Sequence, residues 1–277
     1  MQSKFRGFQE KRMHIFGELV KRYWNGQLNN VGDLKDLAGD IKDQYGFSDE
    51  DIPFIEDHIR VAMGLNPTGN GDFRDELDIV KASGEVSPPV IAKIEGPCEY
   101  CGERGCRAVE TCKYEAHIYD RKKGPVIVND KCLSCGQCVT GCEFGALADK
   151  IEFMPLIDLL KDETTMVYAA VAPAIAGQFG DDVTMGQLRT GLKLLGFQDM
   201  IEVALFADIL TIREAFEFNH LVKKEEDFFL TSCCCPVWFN LIKKHYPDIF
   251  KFMSPSVSPM IASGRILKEL YDNVRVV

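Results

Sequence analysis

The chain has 277 residues, 46% of them hydrophobic, with eleven cysteines and a net charge of −10. That length has room for about two domains with ordinary cores, and the acidic balance argues against nucleic acid as a partner. No run approaches the ~18 uninterrupted apolar residues of a membrane span. The opening Met1-Gln2-Ser3-Lys4-Phe5-Arg6 leads into an amphipathic helix, not an apolar signal core, so a cytoplasmic chain with reduced thiols is expected.

In chain order, Phe16, Leu19, Val20, Tyr23 and Trp24 recur at helical spacing, and Gly26 stops that helix. A second helix carries Leu34, Leu37, Ile41 and Tyr45. A third follows Ser48, capped with Asp51, and is expected to bury Ile52, Ile55, Ile59 and Met63 before Gly64 and Pro67 end it. Asn66 to Asp72 reads as a loop and Ser83 to Pro89 as a linker. His14 and His58 are read as structural histidines.

Two groups of four cysteines come next: Cys98, Cys101, Cys106 and Cys112, then Cys132, Cys135, Cys138 and Cys142. The second is a C-x2-C-x2-C-x3-C run, in which three close thiolates, with Gly136 between them, curl around one corner of an iron–sulfur cube. In such runs the fourth cysteine ligates the other cluster. The competing reading is two structural zinc sites, which use two well-separated C-x2-C pairs and not three consecutive close cysteines. Between the groups, a Gly124-Pro125 turn flanked by Ile118 and Val126-Ile127-Val128 reads as a hairpin. The order loop, helix, hairpin, loop, helix resembles a two-cluster ferredoxin. That resemblance implies one 4Fe–4S cluster on Cys98, Cys101, Cys106 and Cys142, and another on Cys112, Cys132, Cys135 and Cys138. A domain so small would draw much of its folding energy from its clusters.

From Met166 the pattern alternates. Met166 to Val171 reads as a strand, Met185 to Leu195 as a helix ended by Gly196, Ile201 to Ala204 as a strand and Asp208 to Phe218 as a helix. Phe228-Phe229-Leu230 reads as a short buried strand running into Thr231-Ser232-Cys233-Cys234-Cys235-Pro236-Val237-Trp238. A helix with Val237, Leu241, Ile242 and Tyr246 follows. Thiols at a strand-to-helix turn lie beside free backbone N–H groups, which lower thiol pKa and suit an anionic cluster. The bland alternative is buried small hydrophobes.

Thr231 to Trp238 resembles the Thr-Ser-Cys-Cys-Pro-Gly-Trp motif of iron-only (FeFe) hydrogenases. Val171-Ala172-Pro173, Leu195-Gly196-Phe197, Ala207-Asp208-Ile209-Leu210-Thr211, Tyr246-Pro247 and Ser258-Pro259 are similar to family stretches in the same order. The resemblance covers roughly residues 93 to 277. It implies an α+β multidomain chain: a helical region (1–90), a two-cluster ferredoxin-like domain (91–156) and an incomplete α/β hydrogenase-type domain (157–277). In that family a cubane bridged to a diiron centre with CO and cyanide ligands reduces protons to H₂ or splits H₂. Anchoring on Pro236 makes Cys235 a cubane ligand and Cys234 the proton-relay thiol; anchoring on Thr231-Ser232 shifts the pair to Cys234 and Cys233. Ala172 and Pro173 match the segment that walls the site. The triple cysteine, Val237 in place of Gly and Glu143 in place of Pro are departures.

The family continues with a Pro-Cys-x-Ala-Lys-type motif and a C-x3-C pair, and no cysteine follows Cys235. One turn's ligands do not complete a cubane, so the catalytic cubane and diiron centre are expected only if those motifs are present. The resemblance therefore implies an oxidoreductase passing electrons from a ferredoxin-like partner through two clusters towards proton and H₂ chemistry. The alternative is a non-catalytic electron carrier or redox/H₂ sensor.

Overall fold

The computed structural model describes residues 5–69, 72–83, 90–96, 98, 101, 105–120, 124–229 and 234–277. The chain divides into two compact units, Met1–Pro155 and Leu156–Val277.

The first unit opens with four helices: α1 (Phe8–Trp24), α2 (Val31–Tyr45), α3 (Ile52–Ala62) and α4 (Phe73–Ser83). Helix α2 starts where Asn30 accepts from the Asp33 amide and the Asp33 carboxylate accepts back from the Asn30 amide, both at 3.2 Å. This pairing satisfies two of the donors that a helix start leaves open. Ser48 and Asp51 pair in the same sense at 2.8 Å, but they cap a short 3₁₀ turn that leads into α3. On α1 the fully buried stripe is Phe8, Ile15, Leu19 and Tyr23. Phe16, Val20 and Trp24, expected on that stripe, lie half-buried along its edge. On α3, Phe54 is buried and Ile52 only partly so, because Ile52 stands on the first turn where α3 enters from the 3₁₀ segment. Helix α4 follows the expected loop, and residues 84–89 of the expected linker lie outside the described residues.

The cysteine-rich part of the same unit contains β1 (Ile91–Lys93), α5 (Arg107–Thr111), β2 (His117–Asp120), β3 (Gly124–Ile127), α6 (Gln137–Gly141) and β4 (Leu147–Asp149). Two antiparallel pairs flank two short helices. Strand β1 pairs with β4, so the ends of this part are tied together. Strands β2 and β3 form the expected hairpin, with His117 opposite Ile127. Gly124-Pro125 is not its turn: both residues are paired in β3, opposite Asp120 and Tyr119. Proline lacks an N–H and is tolerated there, at the start of an outer strand.

Helix α1 is fastened to the end of α6. Gln9 Nε2 donates to the carbonyls of Val139 at 2.9 Å, Cys142 at 3.2 Å and Leu147 at 3.4 Å, joining α1 to the end of α6 and the start of β4. The Gly7 amide donates to the Glu143 carbonyl at 3.1 Å, and Arg12 pairs with Asp149 at 2.8 Å. Gly145, at φ +75°, takes a left-handed conformation directly under the Phe8 ring.

In the second unit, α7 (Met154–Lys161, beginning at the boundary), β5 (Met166–Val171), α8 (Met185–Leu194), β6 (Asp199–Glu202), α9 (Val203–Leu221), α10 (Pro236–His245), α11 (Pro259–Leu270) and β7 (Val274–Val276) follow in order. The sheet runs β6-β5-β7 with both pairings parallel, so β5 is central. Val167, Ala169 and Phe197 are buried at its core, against Leu156, Leu160 and Leu192. The strand expected at 201–204 begins two residues earlier, and α9 starts at Val203, because Ala204, Leu205 and Ala207 are strong helix formers. The strand expected at 228–230 is not formed at Phe228 and Phe229: neither is paired into the sheet, Phe228 is 52% exposed, and Leu230 lies outside the described residues. On α9, Leu205, Ile209, Ile212 and Phe216 face outward while Val203, Phe206 and Leu210 are buried.

Among the described residues, no helix is long and apolar enough to cross a membrane.

Candidate metal centres

Each cysteine of the first unit is delivered by a loop or a helix end. Cys106 and Cys112 flank α5 as its two cap residues. Cys138 is the second residue of α6 and Cys142 its carboxyl-terminal cap. The loop between Cys132 and Cys138 turns tightly because Ser134 and Gly136 both take positive φ, 56° and 76°. Glycine accepts that geometry without cost, while Ser134 accepts it in a turn whose amide donates to Cys132 Sγ at 3.4 Å. Cys106, Cys112, Cys138 and Cys142 are therefore placed by the ends of α5 and α6, two helices that lie in the same part of the chain as the β1–β4 and β2–β3 ladders.

These cysteines fall into two electrostatic groups. Burial pushes the Cys98 thiol up to about 11, and charges on Cys142, Cys101 and Cys106 push it the same way. The Cys101 thiol is also raised to about 11, by burial first and then by Cys106 and Cys142. Burial raises Cys138 to about 12, with Cys132, Cys135 and Cys112 adding to it. So α5 and α6 exchange their last cysteines. Cys142 leaves its own run to stand with Cys98, Cys101 and Cys106, and Cys112 joins Cys132, Cys135 and Cys138.

The cavities follow the same division. Cys101, Cys106 and Cys142 line a cavity of about 300 Å³ with Arg107 and Glu143. Cys112, Cys132, Cys135 and Cys138 all line a second, narrower one with Ile91, Leu133 and His117. Cys138 and Cys142 are buried in the apolar cluster of Ile91, Ala108, Val139 and Leu147. None of the ten described cysteines is in a disulfide.

The donor chemistry of these sets fits iron–sulfur cubes. The soft thiols of each set act on one another electrostatically, and their thiolate forms would repel in a desolvated place. A cationic metal core removes that conflict by holding all four deprotonated. Among the described residues, no three His, Cys, Asp or Glu side chains form a site for a single metal ion.

Three histidines of this unit, His14, His58 and His117, were not assigned chemistry by their sequence context. His58 is buried between the rings of Phe8 and Phe54, with centroids 4.4 and 4.6 Å away. Its Nε2 lies 2.8 Å from the Gly145 carbonyl, to which it donates. His14, by contrast, is exposed. His117 is only 5% exposed at the wall of the second cysteine cavity. The signal for His117 in the sequence was a polar residue at an inward position of the hairpin, between Ala116 and Ile118.

His58 gives the unit a pH dependence of definite sign. Burial, and then the Arg12 charge, hold its pKa well below the ordinary value, against a smaller opposing effect of its bond to Gly145. A group whose folded pKa is depressed in this way is neutral in the folded state and takes a proton more readily when unfolded. Its contribution is therefore intact above the unfolded pKa of about 6.5 and is lost as pH falls below it. Between about pH 7.5 and 5.5 the loss is expected to reach about 1.4 kcal/mol. Denaturant midpoints for the wild type and His58→Gln at both pH values check this. Asp57, raised chiefly by burial, acts in the opposite sense but is present in both proteins and cancels. Equal pH dependence of the two proteins would refute the assignment.

In the second unit, Cys234 and Cys235 are exposed. Cys235 is the amino-terminal cap of α10, its carbonyl accepts from the Phe239 amide at 3.0 Å, and Pro236 occupies the first helical position. Leu230, Thr231, Ser232 and Cys233 lie outside the described residues. Ala172 and Pro173 leave the carboxyl end of central strand β5 in a 3₁₀ turn, the end at which open parallel sheets carry their sites. Sequence reasoning passed over Glu217 on α9, which accepts from Ser254 Oγ at 3.0 Å, Ser256 Oγ at 3.3 Å and Arg213 Nε at 3.1 Å. Its signal was the serine-rich run Ser254 to Ser258.

Residues 165–277 match the family described as the iron only hydrogenase large subunit, C-terminal domain. That match supports placing the chain in the iron-only hydrogenase family. Similar proteins include the NADP-reducing hydrogenase subunit HndD of Solidesulfovibrio fructosivorans. The two are 26% identical over 197 residues, which is 64% of this chain and 34% of the relative. Iron hydrogenase 1 of Clostridium pasteurianum is 27% identical over 209 residues, 57% of this chain and 36% of its own. The alignments thus span about a third of the length of these relatives.

Proposed function

We propose that this chain is an iron–sulfur oxidoreductase of hydrogenase type. In this reading Cys98, Cys101, Cys106 and Cys142 hold one 4Fe–4S cluster and Cys112, Cys132, Cys135 and Cys138 hold another. When bound, the two clusters supply one-electron relay towards the hydrogenase-type segment, whose chemistry is proton reduction and H₂ oxidation. The observation that carries the reading is the crossing of the two cysteine groups ahead of a segment matching the hydrogenase family. Crossing is what two neighbouring cubes require and what two independent zinc knuckles do not.

The chain's own work is then threefold. Its loops preset the thiols, so little backbone ordering remains when the metal arrives. The apolar cluster of Ile91, Ala108, Val139 and Leu147 dries their surroundings and sets the local dielectric. Cys235, at the cap of α10, offers a thiolate to a metal, and exposed Cys234 beside it carries a proton in the relay role. Ala172 and Pro173 wall the same site. A reducing cytoplasm keeps all these thiols available, and a ferredoxin-like protein supplies the electrons.

Anaerobic reconstitution with iron and sulfide tests this. The expected product is brown and carries acid-labile sulfide. On reduction it shows paramagnetic signals from two interacting clusters. A colourless folded protein that takes up zinc and no sulfide would overturn the proposal.

A further inference from the structure

Among the described residues of the cysteine-rich region, His117 stands apart from the other polar side chains. It is 5% exposed, and neither Nδ1 nor Nε2 has a hydrogen-bond partner in the structure. A buried ring with both nitrogens unserved is costly and calls for an explanation. The ring lines the cavity that it shares with Cys112, Cys132, Cys135 and Cys138. Ile91, Ala116 and Leu133 on the same wall have no side-chain polar atoms, and Tyr114 and Gln137, which also line it, make no hydrogen bond to the ring, so the four sulfurs are the acceptors the cavity leaves to it. The backbone beneath the ring is fixed: His117 is paired with Ile127 across the hairpin, and the neighbouring Ala116 carbonyl accepts from the Val128 amide at 2.7 Å. A side chain on a rigid hairpin is held at one place against the cavity.

We propose that His117 is a positioning and potential-setting residue, donating an imidazole N–H to sulfur of the cluster held by Cys112, Cys132, Cys135 and Cys138. It is not a ligand, since that thiol set is already four. Burial lowers its pKa, which keeps the ring neutral with one N–H to give. Reduction adds one electron to the cluster, and a donor to its sulfur stabilises the more negative form. His117 therefore raises the potential of that cluster and leaves the other, on Cys98, Cys101, Cys106 and Cys142, unchanged. The inference rests on the cluster-binding reading above.

The test uses the reconstituted full chain. In His117→Phe, one of the two clusters is expected to show about a tenfold lower reduced-to-oxidised ratio at a fixed applied potential, which is about 59 mV for one electron. The other cluster should not move, and His117→Gln, which keeps an N–H, should recover part of the change. Pulsed paramagnetic resonance of wild type labelled with ¹⁵N-histidine should show a weak nitrogen coupling to one reduced cluster. That measurement needs no variant, so the inference stays decidable if His117→Phe fails to assemble. Unchanged potentials in His117→Phe, no nitrogen coupling, or a strong coupling from directly bound nitrogen would each overturn it. Iron and sulfide analysis of the wild type separates the two readings. Wild type without clusters defeats the proposed function itself, whereas two clusters with an indifferent His117 defeats only this inference.

Discussion

Replacing Cys138 with alanine is expected, on the proposed ligation, to remove about half of the bound iron and sulfide, since one of the two proposed cubes would lose a ligand. Burial pushes the Cys138 thiol up to about 12, and the side chain lies buried among Ile91, Val139 and Leu147. Its removal leaves three thiols and a small apolar void. The decisive comparison is with Cys112→Ala. Cys112 is six residues from Cys106 and twenty from Cys132 in sequence, yet its charge acts on Cys138. Cys112→Ala is therefore expected to abolish the same spectroscopic signals as Cys138→Ala, while Cys106→Ala abolishes the other set. If Cys112→Ala instead matches Cys106→Ala, each group of four holds its own cluster and the crossed assignment is wrong. Both variants should also lower the unfolding temperature, because metal binding in so small a domain is part of its folding free energy.

Gly145→Ala is expected to be the most destabilising single-methyl change in the first unit. The residue sits at φ +75°, a conformation that costs an L-residue about 1–2 kcal/mol. A Cβ there would stand 2.5 Å from Phe8 Cδ1 and 3.1 Å from Phe8 Cβ. Phe8 has nowhere to go, since its ring is fully buried, 4.8 Å from Phe54 and 4.4 Å from His58. Overpacking of this kind adds about 1–3 kcal/mol, so a total of about 2–5 kcal/mol is expected, a large share of a domain's margin. Denaturant unfolding of Gly145→Ala, Phe8→Ala and the double variant checks the cause. Removing the Phe8 ring should recover much of the steric part and leave the conformational part, giving strong non-additivity. Additive effects would show that the overlap with Phe8 is not the source.

That the cysteines gather at short loops and helix ends was legible from their close spacing along the chain; that they hold cubes is the proposal made above. Helices α1 to α3 were legible in the same way, through period and caps. What the sequence did not reveal was mostly tertiary. Nothing local says that Gln9 will serve the carbonyls at the end of α6, 130 residues on, or that Gly145 is glycine because of Phe8. Gly124-Pro125 read as a turn because those residue types punctuate chains, yet an outer strand tolerates both. Phe228 and Phe229 had the composition of a strand but found no neighbour in the three-stranded sheet. His117 went unremarked because its interest lies in what surrounds it, and burial without a partner is invisible before folding.

The exchange of terminal cysteines between α5 and α6 has a consequence for damage. On the proposed ligation each half of the motif lends one sulfur across to the other, so neither inorganic core would be anchored by contiguous chain alone. Oxygen attack that strips iron from one would loosen a helix on which its neighbour also depends. Loss of the first core should then hasten loss of the second, which partly bleached samples would show as a faster second phase.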